Sequence, residues 1–161
     1  MKIFTVQEKN FLEKIDSEGF IIPPKTVIRD EGDLMLNNHN KKAYIWMDEQ
    51  YKKRIKLPLD RNSIWVFNNP KILFNKNDSK LYNQYTFEVP MYNFINNFLW
   101  SDYFFWHYHL NYGDNWETEF GIFDINPRKD EKNKIAQGIT TRLSIDWLKS
   151  ITESTTEYKY Y

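Results

Sequence analysis

Residues 2–19 read KIFTVQEKNFLEKIDSEG. Ile3 and Thr5 alternate with Phe4 and Val6, which predicts a short strand over Lys2–Gln7 with one buried face. Phe11, Leu12 and Ile15 follow at i, i+1 and i+4, the stripe of an amphipathic helix over Glu8–Glu18. Gly19 stands where a helix stop belongs, Phe20 is placed to pack back on the last turn, and Pro23-Pro24 bars further helix. No glycine-rich turn joins this strand to its helix, which argues against a doubly wound nucleotide-binding fold.

Further along, strand-like and helical stretches alternate without regular βαβ spacing. Arg29–Lys42 is polar and reads as a loop, and Ala43–Arg54 as a helix with Tyr44, Met47 and Tyr51 facing the core and Asp48–Lys52 and Glu49–Lys53 as i, i+4 ion pairs. Ser63–Phe67 and Leu81–Val89 read as strands, Lys71–Phe74 as a further one, with turns at Asn68–Pro70 and Asn75–Ser79. Met91, Phe94, Ile95, Phe98 and Leu99 form a helical stripe, and Ser101-Asp102 breaks or re-caps the chain before Tyr103–Asn111. Gly113–Asn115 reads as a turn, Phe120–Ile125 as a strand, Asn126–Asn133 as a charged loop and Lys134–Leu143 as extended chain. Ser144 caps a short helix carrying Ile145, Leu148 and Ile151. The expected class is α+β, a small, mostly antiparallel sheet with amphipathic helices.

The chain has 161 residues, enough for a single domain, expected over 1–151 with a frayed tail at 152–161. It is 41% hydrophobic and 27% charged, which excludes a disordered chain. Twenty-two basic residues balance 22 acidic ones, which argues against a dedicated duplex-DNA binder. There is no cysteine, so disulfides and thiolate metal sites are excluded, and a cytoplasmic location is expected. No apolar leader and no stretch of roughly 20 apolar residues is seen, so no membrane association is expected.

Candidate chemistry is sparse. His107 and His109 would share a face on a strand but diverge on a helix, and His39 lies far off in sequence, so no metal site is expected. Glu117 and Glu119 suit a carboxylate pair or an ordinary exposed strand face. On the second face of the Ala43–Arg54 helix, Trp46, Gln50 and Arg54 fall at i, i+4 and i+8. They read either as the flank of a wide amphipathic helix or as a pocket wall, with Trp46 for stacking and Arg54 for an anion. No nucleophile-elbow, P-loop or zincin motif occurs.

Several short motifs, in order, resemble a family of small proteins of unknown function from Firmicutes, other bacteria and their phages. They are Ile3–Gln7 with Gly19; Ala43–Met47 with Gln50 and Arg54; Val89-Pro90, Leu99, Ser101-Asp102, Trp106-His107 and Leu110-Asn111; and Phe123-Asp124 with Gln137. The opening is also similar to the first strand and helix of the ADP-ribosyltransferase-like superfamily. That resemblance implies NAD as a ligand. Thr5 and Gln7 would then lie on the nicotinamide side, Tyr44 and Trp46 would be aromatic walls, and Arg54 would pair with an anion. Gln137 and His107 would take the catalytic positions. The late segment reads QGITTR, with Gln137 near where the superfamily carries a glutamate, so a binder without transferase activity is implied equally. The expectation is therefore an NAD- or nucleotide-binding protein, active or degenerate. The alternative is a non-enzymatic protein-interaction module, such as a phage or mobile-element inhibitor of a bacterial defence system, for which abundant Tyr, Trp and Phe are suited.

Overall fold

The computed structural model describes residues 1–23, 38–70, 82–112, 121–129 and 135–153. In chain order the elements are β1 (Lys2–Glu8), α1 (Asn38–Arg54), β2 (Ile64–Phe67), β3 (Tyr82–Glu88), α2 (Met91–Asn96), β4 (Leu99–Asp102), α3 (Tyr103–Tyr112), β5 (Ala136–Thr140), a 3₁₀ turn at Ile145–Trp147, and β6 (Leu148–Glu153). The class is α+β, as expected. The strands form one six-stranded sheet in the order β4-β5-β2-β1-β3-β6, and every described pairing is antiparallel.

Register sorts the side chains into two faces, because opposed residues in a ladder point the same way. Ile3 opposes Phe87 and Thr5 opposes Tyr85, while Val66 opposes Gly138, which opposes Trp100. Of these, Ile3, Tyr85, Phe87, Val66 and Trp100 belong to a core with Phe11, Ile21, Phe94, Phe98 and Leu143. On the other face, Trp65 opposes Ile139, which opposes Leu99. Leu99 and Ile139 are buried with Ala43, Met47, Tyr51, Ile55, Trp106 and Ile122, so α1 and α3 cover this face at its β4–β5–β2 end. Tyr51 ties the layers together, its hydroxyl lying 3.4 Å from the Asn97 carbonyl and 3.3 Å from both Thr141 Oγ1 and the Thr141 amide.

Several local expectations are corrected. Residues 9–20 are not a helix but a series of turns, with Ile15 bridging Ile21. Asp16 Oδ1 accepts the amides of Glu18 and Phe20, each at 2.9 Å. This side chain gives the backbone an alternative to helix. Gly19 takes φ +83°, as expected of a stop, but in a tight turn. Helix α2 ends at Asn96 with Asn97 as its cap, and Leu99 and Trp100 enter β4. Of the anticipated stripe, Phe94, Phe98 and Leu99 are buried, whereas Met91 and Ile95 are about half exposed. Gly121, at φ +85°, opens a turn over 121–123 where a strand was expected. Ser144 does cap, its hydroxyl accepting the Asp146 amide at 3.3 Å, but only a 3₁₀ turn follows before β6. Asn38–Lys42 belongs to α1 rather than to a loop, and Thr152 and Glu153 are in β6 rather than in a frayed tail. The expectations at Lys71–Phe74, Asn75–Ser79, Gly113–Asn115 and Glu117 and Glu119 lie outside the described residues, as do those at residues 154–161.

Candidate functional site

Trp46 and Tyr44 on α1, Trp106 on α3 and Trp65 on β2 form an aromatic layer on the helical side of the sheet. Trp65 and Trp106 are near-parallel with centroids 5.7 Å apart, Trp106 and Trp46 6.4 Å, and Trp46 and Phe123 5.9 Å. The Arg54 guanidinium lies 4.4 Å from the Phe123 ring centre, within cation–π range. Tyr44 sets its edge against Trp65 and Trp106 at 5.8 and 5.9 Å, and burial raises its phenol pKa. Trp46 and Arg54 thus both engage the protein's own rings, Trp46 half-buried and Arg54 exposed. Gln50, between them on the helix, is buried.

Asp102 begins α3 as a cap should. Its Oδ1 accepts the amides of Phe104 and Phe105 at 2.9 and 3.1 Å. His107, one helical turn on, places Nδ1 2.9 Å from the Tyr103 carbonyl and its ring 3.9 Å from that of Tyr103. A carbonyl only accepts, so Nδ1 carries the proton. Burial lowers the pKa of His107 below its ordinary 6.5, the carbonyl acting in the opposite direction. His39 and His109 have side chains outside the described residues. Among the described residues no three His, Asp or Glu side chains gather as a metal would require.

Gln137 opposes Phe67 on one side and Ser101 on the other, on the same sheet face as the aromatic layer. It is buried, and its Nε2 has no hydrogen-bond partner among the described residues. Thr5 and Gln7 point to the opposite face. Thr5 Oγ1 donates to the Trp65 carbonyl at 2.6 Å, and Gln7 Nε2 donates to Thr5 Oγ1 at 2.9 Å. Strands β1 and β2 share only the Phe4–Phe67 pair, so the Thr5 hydroxyl serves the Trp65 carbonyl where the ladder has ended. The seven residues singled out in the sequence are therefore split by the sheet. Tyr44, Trp46, Arg54, His107 and Gln137 lie on one side, Thr5 and Gln7 on the other.

Two cavities that sequence reasoning missed meet at the loop over residues 126–129. One, of about 410 Å³, is walled by Phe94, Ile95, Trp100, Phe123 and Ile125, with Arg128 at its rim. The other, of about 350 Å³, is lined by Lys2, Asn68, Asn69, Pro70, Arg128 and Lys129. Pro127 and Arg128 belong to both. The loop carrying them is shaped by one local bond and anchored by one to the residue after β2. Asn126 Oδ1 accepts the Arg128 amide at 3.1 Å, and Asn68 Nδ2 donates to the Pro127 carbonyl at 3.2 Å. Asn68 Oδ1 also accepts the Ala136 amide at 3.2 Å, which fixes the loop to the start of β5. The described lining of the second cavity holds three cationic side chains and no carboxylate. The only signal in the sequence is the charged loop beginning at Asn126.

A second cluster joins the early turn to the chain around β5. Arg142 meets Asp60 through two bonds of 2.9 and 3.0 Å, and Arg61 pairs with Asp16 at 2.8 Å. Arg142 lowers the Asp60 carboxyl to about 2.

Fold and site define a small α+β protein with an antiparallel sheet, an aromatic layer under two helices, and a divided cavity, one part aromatic and one cationic. The chain belongs to the DUF3841 family, a domain of unknown function, which it matches over residues 2–119. No curated protein and no solved structure matches it. Among the described residues, no helix is long and apolar enough to cross a membrane.

Proposed function

We propose that the protein is a binding protein for an anionic small molecule that carries a flat apolar group, held across the two adjoining cavities. The observation that carries this is the sharing of Arg128 between an aromatic cavity and a cationic one. Each has the volume of a small-ligand pocket, and a guanidinium forks onto phosphate or carboxylate in bidentate fashion. A ring would lie against Trp100 and Phe123 while its anionic group meets Arg128, Lys2 and Lys129. A nucleotide-like ligand satisfies both halves. This keeps the ligand class that the sequence suggested and moves its site away from Thr5, Gln7 and Gln137.

The test is a thermal-shift titration with ADP-ribose, NAD, adenosine monophosphate, adenosine and inorganic phosphate. Near 100 times the dissociation constant, a ligand adds roughly 2.7 kcal/mol, several degrees in Tm. The nucleotides should shift Tm, adenosine and phosphate less so, and Arg128→Ala should remove the shift. Arg128 is exposed, so that variant should fold. The absence of a shift with every compound, or a shift that survives Arg128→Ala, overturns the proposal.

A second reading, a protein-interaction module, is favoured by a different observation. Helix α2 exposes Met91, Tyr92 and Ile95, and α3 exposes Phe104, Phe105 and Tyr108, both at i, i+1 and i+4. Exposed apolar triplets of this kind suit a partner protein.

A further inference from the structure

The sheet's two outer strands are finished differently. At β4 the outward amide of Asp102 is given to the Ile122 carbonyl at 2.7 Å, so the loop after α3 covers that edge. At β6 no described strand pairs with the outer edge. Its side chains from Lys149 to Glu153 are exposed, Ile151 among them at 48%. An edge of unpaired backbone groups with an uncovered apolar side chain is a template for another strand.

The sequence of that edge says which strand. Residues 149–153 read K-S-I-T-E. Laid antiparallel on itself about Ile151, the segment brings isoleucine against isoleucine, serine against threonine, and lysine against glutamate at both ends. Centring on Ser150 or Thr152 instead sets Ile151 against a charged residue. Opposite charges across an antiparallel pair stabilise it and like charges destabilise it, so composition selects one register. An isologous two-fold contact requires this kind of self-complementarity.

We infer that β6 pairs with β6 of a second copy of this chain, joining two six-stranded sheets into one continuous sheet. Within each subunit, Lys149 sits at the irregularity in the β3–β6 ladder, and its ammonium lies 3.5 Å from Glu88. The irregularity precedes Ser150, so the stretch from Ser150 to Glu153 keeps its regular register on β3. The lysine then stands between its own Glu88 and Glu153 of the partner subunit. A contact of one short strand is smaller than a standard stable interface, so the dimer is weak and depends on concentration.

Sedimentation equilibrium on the full chain, from about 1 μM to about 1 mM, tests this directly. The wild type should pass from monomer to dimer across the range. Lys149→Glu alone and Glu153→Lys alone should each weaken association at least several-fold, because like charges then face each other. An equimolar mixture of the two single variants should restore it as a heterodimer. All of these residues are exposed, so circular dichroism should be unchanged. A wild type that stays monomeric throughout, or variants that associate as well as wild type, overturn the inference. So does a mixture that shows no recovery.

Discussion

On one side of the sheet, Ile3, Val66, Phe87 and Trp100 are buried by short pieces of chain: the turns at 9–20, the six residues of α2 and the segment around Leu143. On the other, Leu99 and Ile139 lie beneath α1 and α3, and the space between helices and sheet is filled by large rings. The first side divides its burial among many medium-sized groups. The second concentrates it in Trp106, which is within ring contact of Trp65, Trp46 and Tyr44 and is 2% exposed. A side built on one large ring should fail sharply when that ring is removed. A side built from many should respond to tight spots instead.

The largest expected effect follows from that contrast. Trp106→Ala removes the ring that joins α3 to α1 and β2, and it should cost about 3–5 kcal/mol, measured by urea denaturation. A loss near 1 kcal/mol would mean that the helices collapse onto the gap. The helical side would then be the more forgiving of the two. If the helices instead detach while the sheet persists, tryptophan fluorescence should change well before far-ultraviolet circular dichroism.

On the other side the tightest spot is Gly138. A Cβ built there would lie 2.9 Å from Trp100 Cε3, and that ring is held by its Nε1–H bond of 3.0 Å to the Phe94 carbonyl. Gly138→Ala should therefore destabilise by about 1–3 kcal/mol, the range of an overpacked core. Trp100→Phe in the same background should recover part of the loss, because the indole is the obstacle. A neutral Gly138→Ala would mean that Trp100 moves freely, and it would remove the wall assigned to the aromatic cavity.

The same contrast explains what could be read from the sequence. Strands β1, β2 and β3 were legible because alternation survives where one face is buried more deeply than the other, whereas β5, buried on both faces, was legible only as extended chain. Helix α1 was legible because Met47 and Tyr51 keep a helical period, and the start of α3 because Asp102 is a capping residue. The failures occur where tertiary bonds outbid local pattern. Phe11, Leu12 and Ile15 have helical spacing, yet Asp16 and the Ile15–Ile21 bridge bend the chain into turns. Leu148 and Ile151 also have helical spacing, but the free edge of β3 takes them as a strand. The candidate cavities were invisible because their walls come from β1, the turn after β2, α2, β4 and the 121–129 loop, which only the folded sheet brings together.

The smallest effect concerns a polar group on the helical side. Gln137 is 1% exposed, and its Nε2 donates to no described group, which costs the desolvation of an amide without return. Met has similar length and carries no such donor. Gln137→Met should thus change stability by less than about 1 kcal/mol, with the sign toward gain, since replacing an unpaired buried polar group by an apolar one of like shape is neutral or stabilising. The same denaturation measurement decides it. A loss of about 2 kcal/mol would show that the amide is bonded in solution through an ordered water. The helical side would then hold a polar anchor beside Ser101 as well as its rings. That outcome would also return Gln137, on chemical grounds, to the residues able to meet a ligand.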